Sequence, residues 1–342
     1  MQQKIILVTG GAGYIGSHTC VALAQAGYRP LLFDNFSNSD PSVIERLTQL
    51  IGPSLLVLRG DIRDLATLKE IFQTYPCYAV IHLAGVKAVG ESVAKPLDYY
   101  DINVTGSLVL LKAMKQAGVS RLVFSSSAAV YGEKTIPPFQ EQALLDPINP
   151  YGRSKLMIEK IINDLYHANT LQSVLSLRYF NPIGAHPSGF IGETPTGTPN
   201  NLLPYLMQVA AGIRKKLFIF GNDYPTADGT AVRDYIHVMD LAQGHVLALQ
   251  KTEQREGCWT FNLGRGRGSS VLEVIDAFEQ ASGQNIPYEV IQRRPGDVAA
   301  SWADPTAAQQ QLGWSATYNL EMMCAHSWHW QCHLDSLKVQ RK

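Results

Sequence analysis

One stretch near the N-terminus decides the fold: Ile5-Ile-Leu-Val-Thr-Gly-Gly-Ala-Gly-Tyr-Ile-Gly16. It consists of a short apolar strand, then the spacing Gly10-x-x-Gly13-x-x-Gly16, then a segment that favours helix. Glycines at this spacing let the backbone turn tightly and approach a pyrophosphate, whose negative charge the N-terminus of the following helix favours. The stretch therefore predicts the first strand and helix of a dinucleotide-binding domain.

Short apolar strands keep alternating with helical segments through the first half of the 342-residue chain. After the first strand, we predict strands at residues 30–33, 55–58, 79–83 and 122–124. Strands that are apolar on both faces and alternate with helices belong to a parallel sheet covered on both sides. We expect a doubly wound, Rossmann-type α/β domain over residues 1–180.

This alternation stops after residue 180. Residues 181–201 are rich in proline and glycine, and a loop of this length in a compact protein is usually functional. Beyond it, predicted strands mix with predicted helices, the strands at 217–220 and 259–263 and the helices at 202–212 and 271–282. We expect a smaller, mixed α/β domain that binds substrate over residues 181–342, with an approximate boundary and a chain that crosses between the two domains.

The composition excludes several classes of partner. The chain carries 29 basic and 29 acidic residues and no net charge, so no global field attracts nucleic acid or an anionic membrane. No apolar run is long enough for a signal-peptide core or a membrane span. The five cysteines are odd in number and show no Cys-x-x-Cys pair, which favours reduced thiols. We therefore expect a cytoplasmic protein with no nucleic-acid or membrane partner, in which local groups hold any anionic ligand.

Three charged residues follow predicted strands at the edge of the sheet where the glycines lie. Asp34 ends the second strand, 18 residues after Gly16, where a carboxylate accepts hydrogen bonds from the adenosine ribose and repels a 2′-phosphate. This position favours NAD over NADP. Asp61, after the third strand, is suited to the adenine edge or to capping a helix. Lys87, after the fourth strand, either reaches a phosphate or ribose or is simply solvated.

A phenol and an ammonium lie one helical turn apart in Tyr151-Gly-Arg-Ser-Lys155. The pKa of a free tyrosine is about 10, so the phenol becomes a base at neutral pH only where positive charge stabilises the phenolate. A buried lysine and a positively charged nicotinamide ring supply such charge. Ser125-Ser-Ser127 ends the fifth strand and brings a hydroxyl to the same edge, although a serine run after a strand is by itself typical of a turn.

These features together resemble the extended short-chain dehydrogenase/reductase family, and within it the enzymes that epimerise nucleotide-linked sugars. The resemblance runs nearly from end to end, and it also rests on Lys87-Ala-Val-Gly-Glu-Ser92, Leu177-Arg-Tyr-Phe-Asn-Pro182, Phe220-Gly-Asn-Asp-Tyr-Pro225 and Val232-Arg-Asp-Tyr-Ile-His-Val238. It implies bound NAD and interconversion of UDP-glucose and UDP-galactose through oxidation at C4, rotation of a 4-keto sugar and re-reduction. The substrate range extends to UDP-N-acetylhexosamines if the sugar pocket is large enough.

The same resemblance implies the roles of individual residues. Tyr151 takes the proton of the C4 hydroxyl and later returns it, Lys155 holds the nicotinamide ribose and lowers the pKa of the phenol, and Ser127 orients or relays the proton. The implied cofactor contacts are Gly10, Gly13, Tyr14, Ile15, Gly16, Asp34, Asn35, Phe36, Ser37, Asn38, Ser39, Asp61, Ile62, Leu83, Ala84, Gly85, Lys87, Asn103, Ser125, Tyr151, Lys155, Tyr179 and Phe180. The implied substrate contacts are Lys87, Ser127, Tyr151, Asn181, Asn201, Leu202, Leu217, Phe218, Phe220, Arg233, Tyr235, Arg294, Asp297 and Ser301.

Several of these positions carry a more specific expectation. Arg233 and Arg294 resemble the clamps of the diphosphate, and Asp297 resembles an acceptor for the ribose hydroxyls. Ser301 matches the wall of the sugar pocket, where relatives confined to plain hexoses tend to place a tyrosine, so it predicts room for an N-acetyl group. Ile102 stands where some relatives carry a second asparagine near the cofactor; since Asn103 is retained, we expect a lost contact and not lost binding.

Other functions remain as alternatives. Dehydratases and decarboxylases of this family commonly carry an acidic residue just after the position of Ser127, whereas this chain has Ala128 and Ala129, which favours epimerisation. A UDP-uronate or UDP-pentose epimerase would share every catalytic residue. A non-catalytic member that senses dinucleotides usually lacks the tyrosine or the lysine, and both are present here. Related epimerases are commonly dimers, so we expect a homodimer joined by helices at 99–117 and 154–168.

A group of cysteines and histidines near the C-terminus has the residue types of a zinc site: Cys324, His326, His329, Cys332 and His333. Trp328 and Trp330 interleave with them, and the implied chemistry needs no metal. We therefore expect no metal ligand here.

Overall fold

The computed structural model describes residues 3–195, 197–199, 201–294 and 297–340, the side chains of 338–340 excepted. The strands in chain order are β1 (Ile5–Thr9), β2 (Arg29–Asp34), β3 (Leu56–Arg59), β4 (Cys77–His82), β5 (Arg121–Ser127), β6 (Ser173–Tyr179), β7 (Asn181–Ile183), β8 (Leu217–Phe220), β9 (Val232–Arg233), β10 (Tyr235–His237), β11 (Gly257–Leu263), β12 (Ser269–Ser270), β13 (Tyr288–Ile291) and β14 (Ala300–Ser301). The helices are α1 (Tyr14–Gln25), α2 (Val43–Ile51), α3 (Leu65–Thr74), α4 (Val89–Ala94), α5 (Pro96–Tyr99), α6 (Gly106–Ala117), α7 (Pro150–His167), α8 (Leu202–Ala210), α9 (Val238–Gln254), α10 (Val271–Ser282), α11 (Thr306–Leu312) and α12 (Leu320–Gln340).

Seven parallel strands form the large sheet, in the order β11-β6-β5-β4-β1-β2-β3. All of β1 is buried, and its side chains alternate between two cores, Ile6 and Val8 on one face and Ile5 and Leu7 on the other. Helices α1, α2 and α9 contribute to the first core, and α3, α6 and α7 to the second. A sheet that is apolar on both faces and covered by helices on both confirms the predicted Rossmann-type architecture.

The strand order places a crevice beside β1. The chain runs from β1 to β2 on one side and reaches β4 on the other, so the order reverses at this point. In open α/β sheets the ligand lies at such a reversal, beyond the carboxyl ends of the strands. The glycine loop opens from the end of β1 and is tied to β2 by the Gly10 N–H, which donates to the Phe33 carbonyl at 2.8 Å.

Two elements from the second half of the chain belong to the large sheet and to the helices that cover it. Strand β11 pairs with β6 from Gly257 opposite Ser173 to Leu263 opposite Tyr179, and helix α9 packs on α1. The predicted strand at 259–263 is therefore the edge strand of the large sheet. Where the two domains divide stays a prediction, and a division at residue 180 would have to assign residues 238–263 to the first domain.

The remaining elements form a smaller, mixed α/β region. Short sheets pair β8 with β13, β7 with β10, and β9 with both β12 and β14. Helices α8, α10 and α12 close around a third core that includes Leu206, Phe278 and Met323. Helix α10 starts and stops where the sequence predicts, because Ser270 and Glu273 form a capping box and Gly283 ends the helix in the left-handed conformation.

None of the helices within the described residues has both the length and the apolar character that a membrane crossing requires.

Candidate active site

The glycine loop leaves the start of α1 open to an anion. A Cβ on Gly16 would lie 2.1 Å from the Gly10 carbonyl oxygen, so the loop packs against its own helix only with glycine there. A Cβ on Gly13 would meet only the Gly10 oxygen, at 3.3 Å. Among the described residues no side chain caps α1, so the N–H groups of its first turn are available to a ligand. This open cradle of backbone donors fits the pyrophosphate of a dinucleotide.

Asp34 is held at the end of β2 with its carboxylate against the glycine loop. It accepts hydrogen bonds from the Ala12 N–H at 3.0 Å and the Phe36 N–H at 2.8 Å. The Ser39 hydroxyl donates to the same carboxylate at 3.3 Å. These bonds orient the side chain beside the loop, where the sequence predicts the adenosine ribose, so the carboxylate fits as an acceptor for the ribose hydroxyls of NAD.

Asp61 lies next to Asn35, whose side-chain amide donates to it at 3.1 Å. The Arg63 guanidinium hydrogen-bonds to the same carboxylate and holds the pKa of Asp61 well below its usual range. The cap of α3 is Asp64, which accepts hydrogen bonds from the Ala66 and Thr67 N–H groups, so the alternative in which Asp61 caps a helix is wrong.

Asn103 holds the loop after β4 in place. It lies in a π-helical segment between α5 and α6, residues 100–105. Its side chain accepts from the Val86 N–H at 2.9 Å and donates to the Val86 carbonyl at 3.1 Å and to the Ser154 hydroxyl at 3.0 Å. Asn103 therefore fixes the backbone between Gly85 and Lys87, where the sequence places the cofactor.

The sequence did not predict a series of buried hydrogen bonds that lies behind this loop. His82 ends β4 and hydrogen-bonds through Nδ1 to the Thr9 hydroxyl and through Nε2 to the Ser107 hydroxyl, both at 2.8 Å. Ser107 donates in turn to the Asn103 carbonyl. Burial lowers the pKa of His82 to about 3, so the imidazole is neutral. A histidine that ends an otherwise apolar strand was the available signal.

The N-terminus of α7 brings Tyr151 to the end of β5. Asn149 caps the helix by accepting from the Gly152 N–H at 2.8 Å, and Pro150 occupies the first helical position. A Cβ on Gly152 would lie 2.6 Å from the Ala129 carbonyl oxygen, so the helix and the turn after β5 approach closely. The sequence folds here in a way that sets Tyr151 beside Ser127.

Opposing effects act on the acidity of the Tyr151 phenol. Burial raises the pKa of Tyr151, while a hydrogen bond with Ser127 and the positive charge of Lys87 lower it, and the net direction is upward. The positive charge of a bound nicotinamide would also lower the pKa of Tyr151. The phenol thus lies among groups that stabilise its ionised form, which is what a general base requires.

Lys155 lies one turn further along α7 and is buried. Its ammonium donates to the Ser125 carbonyl at 2.8 Å and lies 6.0 Å from the centroid of the Tyr151 ring. Burial lowers the pKa of Lys155 to about 8, although Glu159 acts in the opposite direction. The predicted catalytic residues Tyr151, Lys155 and Ser127 are therefore close together, and their roles stay predictions.

Lys87 faces the same site from the loop after β4. Its ammonium forms an ion pair with Glu193 at 2.8 Å, and the Asn201 amide donates to the same carboxylate at 3.1 Å. Tyr14, in the first turn of α1, donates its hydroxyl to the Gly184 carbonyl at 2.7 Å. Glu193 was not predicted as a site residue, because nothing in its local sequence separates it from other residues of a long polar loop.

The predicted diphosphate clamps converge on one carboxylate. The Arg294 Nε donates to Asp297 at 3.0 Å, and the Arg233 guanidinium lies 3.8 Å from the other oxygen of Asp297. The Arg294 guanidinium also lies 4.4 Å from the centroid of the Phe220 ring. Ser301 is the register partner of Arg233 on the neighbouring strand, so it belongs to the same cluster. This juxtaposition suits a nucleoside diphosphate.

Tyr224 adds a group that the sequence did not single out. Its hydroxyl is buried and, among the described residues, has no hydrogen-bond partner. The Arg293 guanidinium lies 4.0 Å from the centroid of its ring, and burial together with the charge of Asp297 raises the pKa of the phenol. A buried donor without a partner beside the arginine cluster is expected where a ligand completes the site.

Some predicted contacts have side chains inside the cores. Strand β8 alternates, so that Leu217 is buried in the third core while Phe218 and Phe220 are partly exposed. Tyr235 belongs to the same core. Tyr179 is buried with its hydroxyl 2.5 Å from His245 Nε2. Phe180 packs in a fourth core beside Phe139. Any ligand contact of these residues stays a prediction.

The C-terminal histidines pack with other rings. His326 Nδ1 lies 3.0 Å from His237 Nε2, and His237 stacks on Tyr318 with centroids 4.0 Å apart. Within the described part of the chain, no three histidine, cysteine, aspartate or glutamate side chains gather in an arrangement that could hold a metal ion.

Known proteins resemble this chain over almost its whole length. The family model described as GDP-mannose 4,6 dehydratase matches residues 7–327. The UDP-glucose 4-epimerase of Bacillus subtilis (strain 168) is 54% identical over 326 residues, which cover 95% of this chain and 96% of that protein.

Solved structures agree with the sequence comparison. A UDP-glucose-4-epimerase from Stenotrophomonas maltophila, solved with bound NAD and formylated UDP-arabinopyranose, is 48% identical and superimposes with a TM-score of 0.96 over 98% of this chain and 100% of that chain. A UDP-glucose 4-epimerase from Bifidobacterium longum in complex with NAD+ and UDP is 48% identical, with a TM-score of 0.93 over 96% of this chain and 98% of that chain. With more than half of its residues shared with a relative that it covers almost completely, and with a family model spanning most of its length, the chain belongs to the UDP-glucose 4-epimerases, within the wider family described as GDP-mannose 4,6 dehydratase.

Proposed function

We propose that Tyr151, supported by Ser127, Lys155 and Lys87, is the acid–base residue with which this NAD-dependent enzyme interconverts UDP-glucose and UDP-galactose. The observation that carries the assignment is the position of the Tyr151 phenol. The phenol is hydrogen-bonded to Ser127 and interacts with the positive charge of Lys87. It lies at the edge of the sheet where the glycine loop leads into α1, whose N-terminus has no side-chain cap among the described residues. The arginine cluster around Asp297 supplies the local positive charge that a protein of zero net charge needs for a diphosphate.

The residues of the chain divide the work of the reaction between them. NAD bound in this site would supply the acceptor for the C4 hydride and the donor that returns it to the opposite face of the same carbon, so the overall reaction is redox-neutral. Tyr151 accepts the proton of the C4 hydroxyl, directly or through Ser127, and gives it back when the hydroxyl is re-formed. Lys155 and Lys87 stabilise the phenolate between these two events.

The nucleotide has to stay bound while the 4-keto sugar rotates to present its other face. Arg233 and Arg294 approach from two different segments, and both interact with Asp297. Two guanidinium groups on a diphosphate give a fixed anchor. The sugar is then attached through the diphosphate alone, which leaves it free to present its other face.

The competing functions lack support at particular residues. A dehydratase needs an additional acid–base pair, and the turn after Ser127 begins with Ala128 and Ala129, which carry none. A non-catalytic dinucleotide sensor does not need Tyr151 and Lys155, which this chain positions together. UDP-uronate and UDP-pentose epimerases differ only in the sugar pocket and are tested with the corresponding substrates.

The function is tested by incubating the purified protein with UDP-galactose, without added NAD, and measuring UDP-glucose. Because the reaction is redox-neutral, we expect conversion without added cofactor, and NAD(H) in the supernatant after the protein is denatured. Absence of conversion even with added NAD, or release of NADP in place of NAD, would contradict the proposal.

We further propose that Ser301 sets the substrate range. Ser301 is partly exposed on β14 beside Arg233, and a serine leaves vacant most of the volume of a tyrosine ring. We expect the wild-type enzyme to epimerise UDP-N-acetylglucosamine as well as UDP-glucose. The variant Ser301→Tyr should lower kcat/KM for the acetylated sugar at least about tenfold relative to UDP-glucose, since a filled pocket excludes the larger group.

Both substrates are measured on the wild type, on Ser301→Tyr and on Ser301→Ala. The alanine variant removes the hydroxyl without adding volume, so it should keep the wild-type ratio of the two kcat/KM values. A wild type that ignores the acetylated sugar, or a tyrosine variant with an unchanged ratio, would exclude Ser301 as the determinant.

A homodimer and a cytoplasmic location belong to the same proposal. The cysteines are all free thiols, which suits a reducing compartment. The helices predicted to join the dimer span residues 99–117 and 154–168, and α4 and α5 pack on α7, which forms most of the second. Each of α4, α5 and α7 carries an apolar side chain exposed to solvent: Val93 is 64% exposed, Leu97 81% and Met157 43%. Exposed apolar side chains on adjoining helices are typical of a surface that a second copy covers.

For the dimer, we expect Leu97→Asp to weaken self-association at least about tenfold, because it places a charge in an apolar interface. Sedimentation velocity over a range of concentrations measures this. Ile136→Asp is the matched control, since Ile136 is 85% exposed but lies outside these helices. A monomeric wild type, or equal dissociation of both variants, would contradict the proposal.

A further inference from the structure

Glu193 connects two parts of the site that come from distant segments of the chain. Its carboxylate is only 11% exposed, whereas the Lys87 side chain that it pairs with is 46% exposed and accessible from the site. The same oxygen of Glu193 accepts from Lys87 at 2.8 Å and from the Asn201 amide at 3.1 Å. Asn201 precedes α8 without capping it, so its side chain is committed to Glu193.

The position of Glu193 is fixed from the C-terminal helix. The Trp330 indole N–H donates to the Glu193 carbonyl at 3.1 Å. A Cβ on the preceding Gly192 would lie 2.4 Å from the Trp330 ring, so the backbone rests directly on the indole. The carboxylate is thus held by its main chain as well as by its partners, which is the arrangement expected of a residue that orients others.

The charges of this cluster bear on the base. Burial lowers the pKa of Lys87, but the Glu193 carboxylate and, to a smaller extent, Tyr151 act in the opposite direction, and the pKa of the lysine is raised. The Lys87 charge in turn lowers the pKa of Tyr151. In the part of the chain that the structure describes, the other ionisable groups near the Tyr151 phenol are Lys155, Tyr99 and Tyr179. Glu193 and Tyr14 also interact, since burial and the Glu193 charge raise the pKa of Tyr14.

We propose that Glu193 is a positioning residue that holds Lys87 and Asn201 in one cluster beside Tyr151 and moderates the positive charge that Lys87 presents to the phenol. The proposal rests on the proposed function, in which Tyr151 is the base. Glu193 acts through Lys87 and Asn201 and is not itself a catalytic residue.

Two substitutions separate the electrostatic effect from the geometric one. In Glu193→Gln the amide oxygen still accepts hydrogen bonds from Lys87 and Asn201, but the negative charge is lost. The Lys87 charge is then unopposed and the Tyr151 phenolate is favoured, so the acid limb of the pH profile of kcat/KM should move down by about half a pH unit or more. In Glu193→Ala both hydrogen bonds are lost, and we expect KM for UDP-galactose to rise about tenfold or more, with most of this effect absent in Glu193→Gln.

Glu253 provides a matched control. It pairs with Lys4 at 3.1 Å and accepts from the Tyr28 hydroxyl at 3.1 Å, at the end of α9 and away from the site. Glu253→Gln removes a comparable carboxylate, so it should leave KM and the pH profile unchanged. A loss of thermal stability in Glu193→Gln with an unmoved acid limb would reduce Glu193 to a structural role and overturn the proposal.

Two measurements without turnover keep this test independent of the proposed reaction. Ultraviolet difference titration, with Tyr151→Phe as the reference, follows ionisation of the phenol and should show the same downward shift in Glu193→Gln. Calorimetry with UDP-galactose should show weaker binding to Glu193→Ala than to Glu193→Gln. If the wild type binds but does not epimerise the sugar, the proposed reaction fails, while these two readouts still decide whether Glu193 positions the cluster. An unchanged titration together with equal binding would overturn it.

Discussion

Replacing Tyr151 with phenylalanine is expected to lower kcat/KM for UDP-galactose at least about 100-fold, the lower range for loss of a general acid–base group. The substitution keeps the ring, which packs at the start of α7, and removes only the hydroxyl that hydrogen-bonds to Ser127. No other described group is positioned with the same hydrogen bond to Ser127 and the same exposure to the Lys87 charge. The rate is measured by following UDP-glucose formation at several pH values.

The matched control is Tyr166→Phe, which removes a hydroxyl from a partly exposed tyrosine on the same helix. It should retain wild-type activity. Both variants should also keep their NAD(H) content and their affinity for UDP, because the glycine loop and the arginine cluster are untouched. Near-normal turnover in Tyr151→Phe would refute the assignment of the base, and a matching loss in Tyr166→Phe would indicate a general disturbance of α7.

The sequence predicts most strands of the large sheet because the signal is local and repeated, but it did not predict β6 (Ser173–Tyr179). Strands such as Ile5–Thr9 are buried on both faces, and the glycine spacing marks the turn that follows. The predicted helix at 99–117 was only partly correct. Its beginning is interrupted by the π-helical segment that carries Asn103, and the tertiary bonds of Asn103 to Val86 and Ser154 accompany this irregularity.

Residues that act across the fold leave no such local signal. Glu193 lies 106 positions from Lys87 in the sequence, and only the folded chain brings them together. The same holds for His82, which bridges Thr9 and Ser107. Strand β11 was predicted as a strand, but its place beside β6 depends on the return of the chain through α9. The pattern of apolar residues thus predicts which segments form helices and strands. The partners of a given side chain or strand depend on how distant segments of the chain pack.

Lys155 has the second largest expected effect, because its charge lies close to the phenol and is poorly screened. Its ammonium is 6.0 Å from the centroid of the Tyr151 ring and is buried. A positive charge in such a poorly solvated place favours the negative phenolate and so lowers the pKa of Tyr151. Removing the Lys155 charge is therefore expected to raise the pKa of Tyr151 and to reduce the fraction of phenolate at neutral pH.

The variant Lys155→Met is therefore expected to lose about 100-fold in kcat/KM at neutral pH and to recover part of this loss as pH rises toward the new pKa of the phenol. In the wild type, by contrast, kcat/KM is expected to fall at alkaline pH. Burial sets the pKa of Lys155 at about 8, so the lysine loses its charge above that pH and the activity should decline. The variant lacks this decline, and its optimum moves upward.

Lys160→Met is the matched control for Lys155, since Lys160 is exposed on the same helix and its charge is screened by solvent. It should show the wild-type pH profile. Complete profiles of kcat/KM on all three proteins distinguish the two possible contributions of Lys155. If Lys155 acts on the phenol, the acid limb shifts upward in Lys155→Met and the alkaline limb disappears. If the variant loses activity equally at every pH, Lys155 does not set the acidity of Tyr151, and its contribution lies in binding the nicotinamide ribose, which a lower NAD(H) content of the purified variant would reveal.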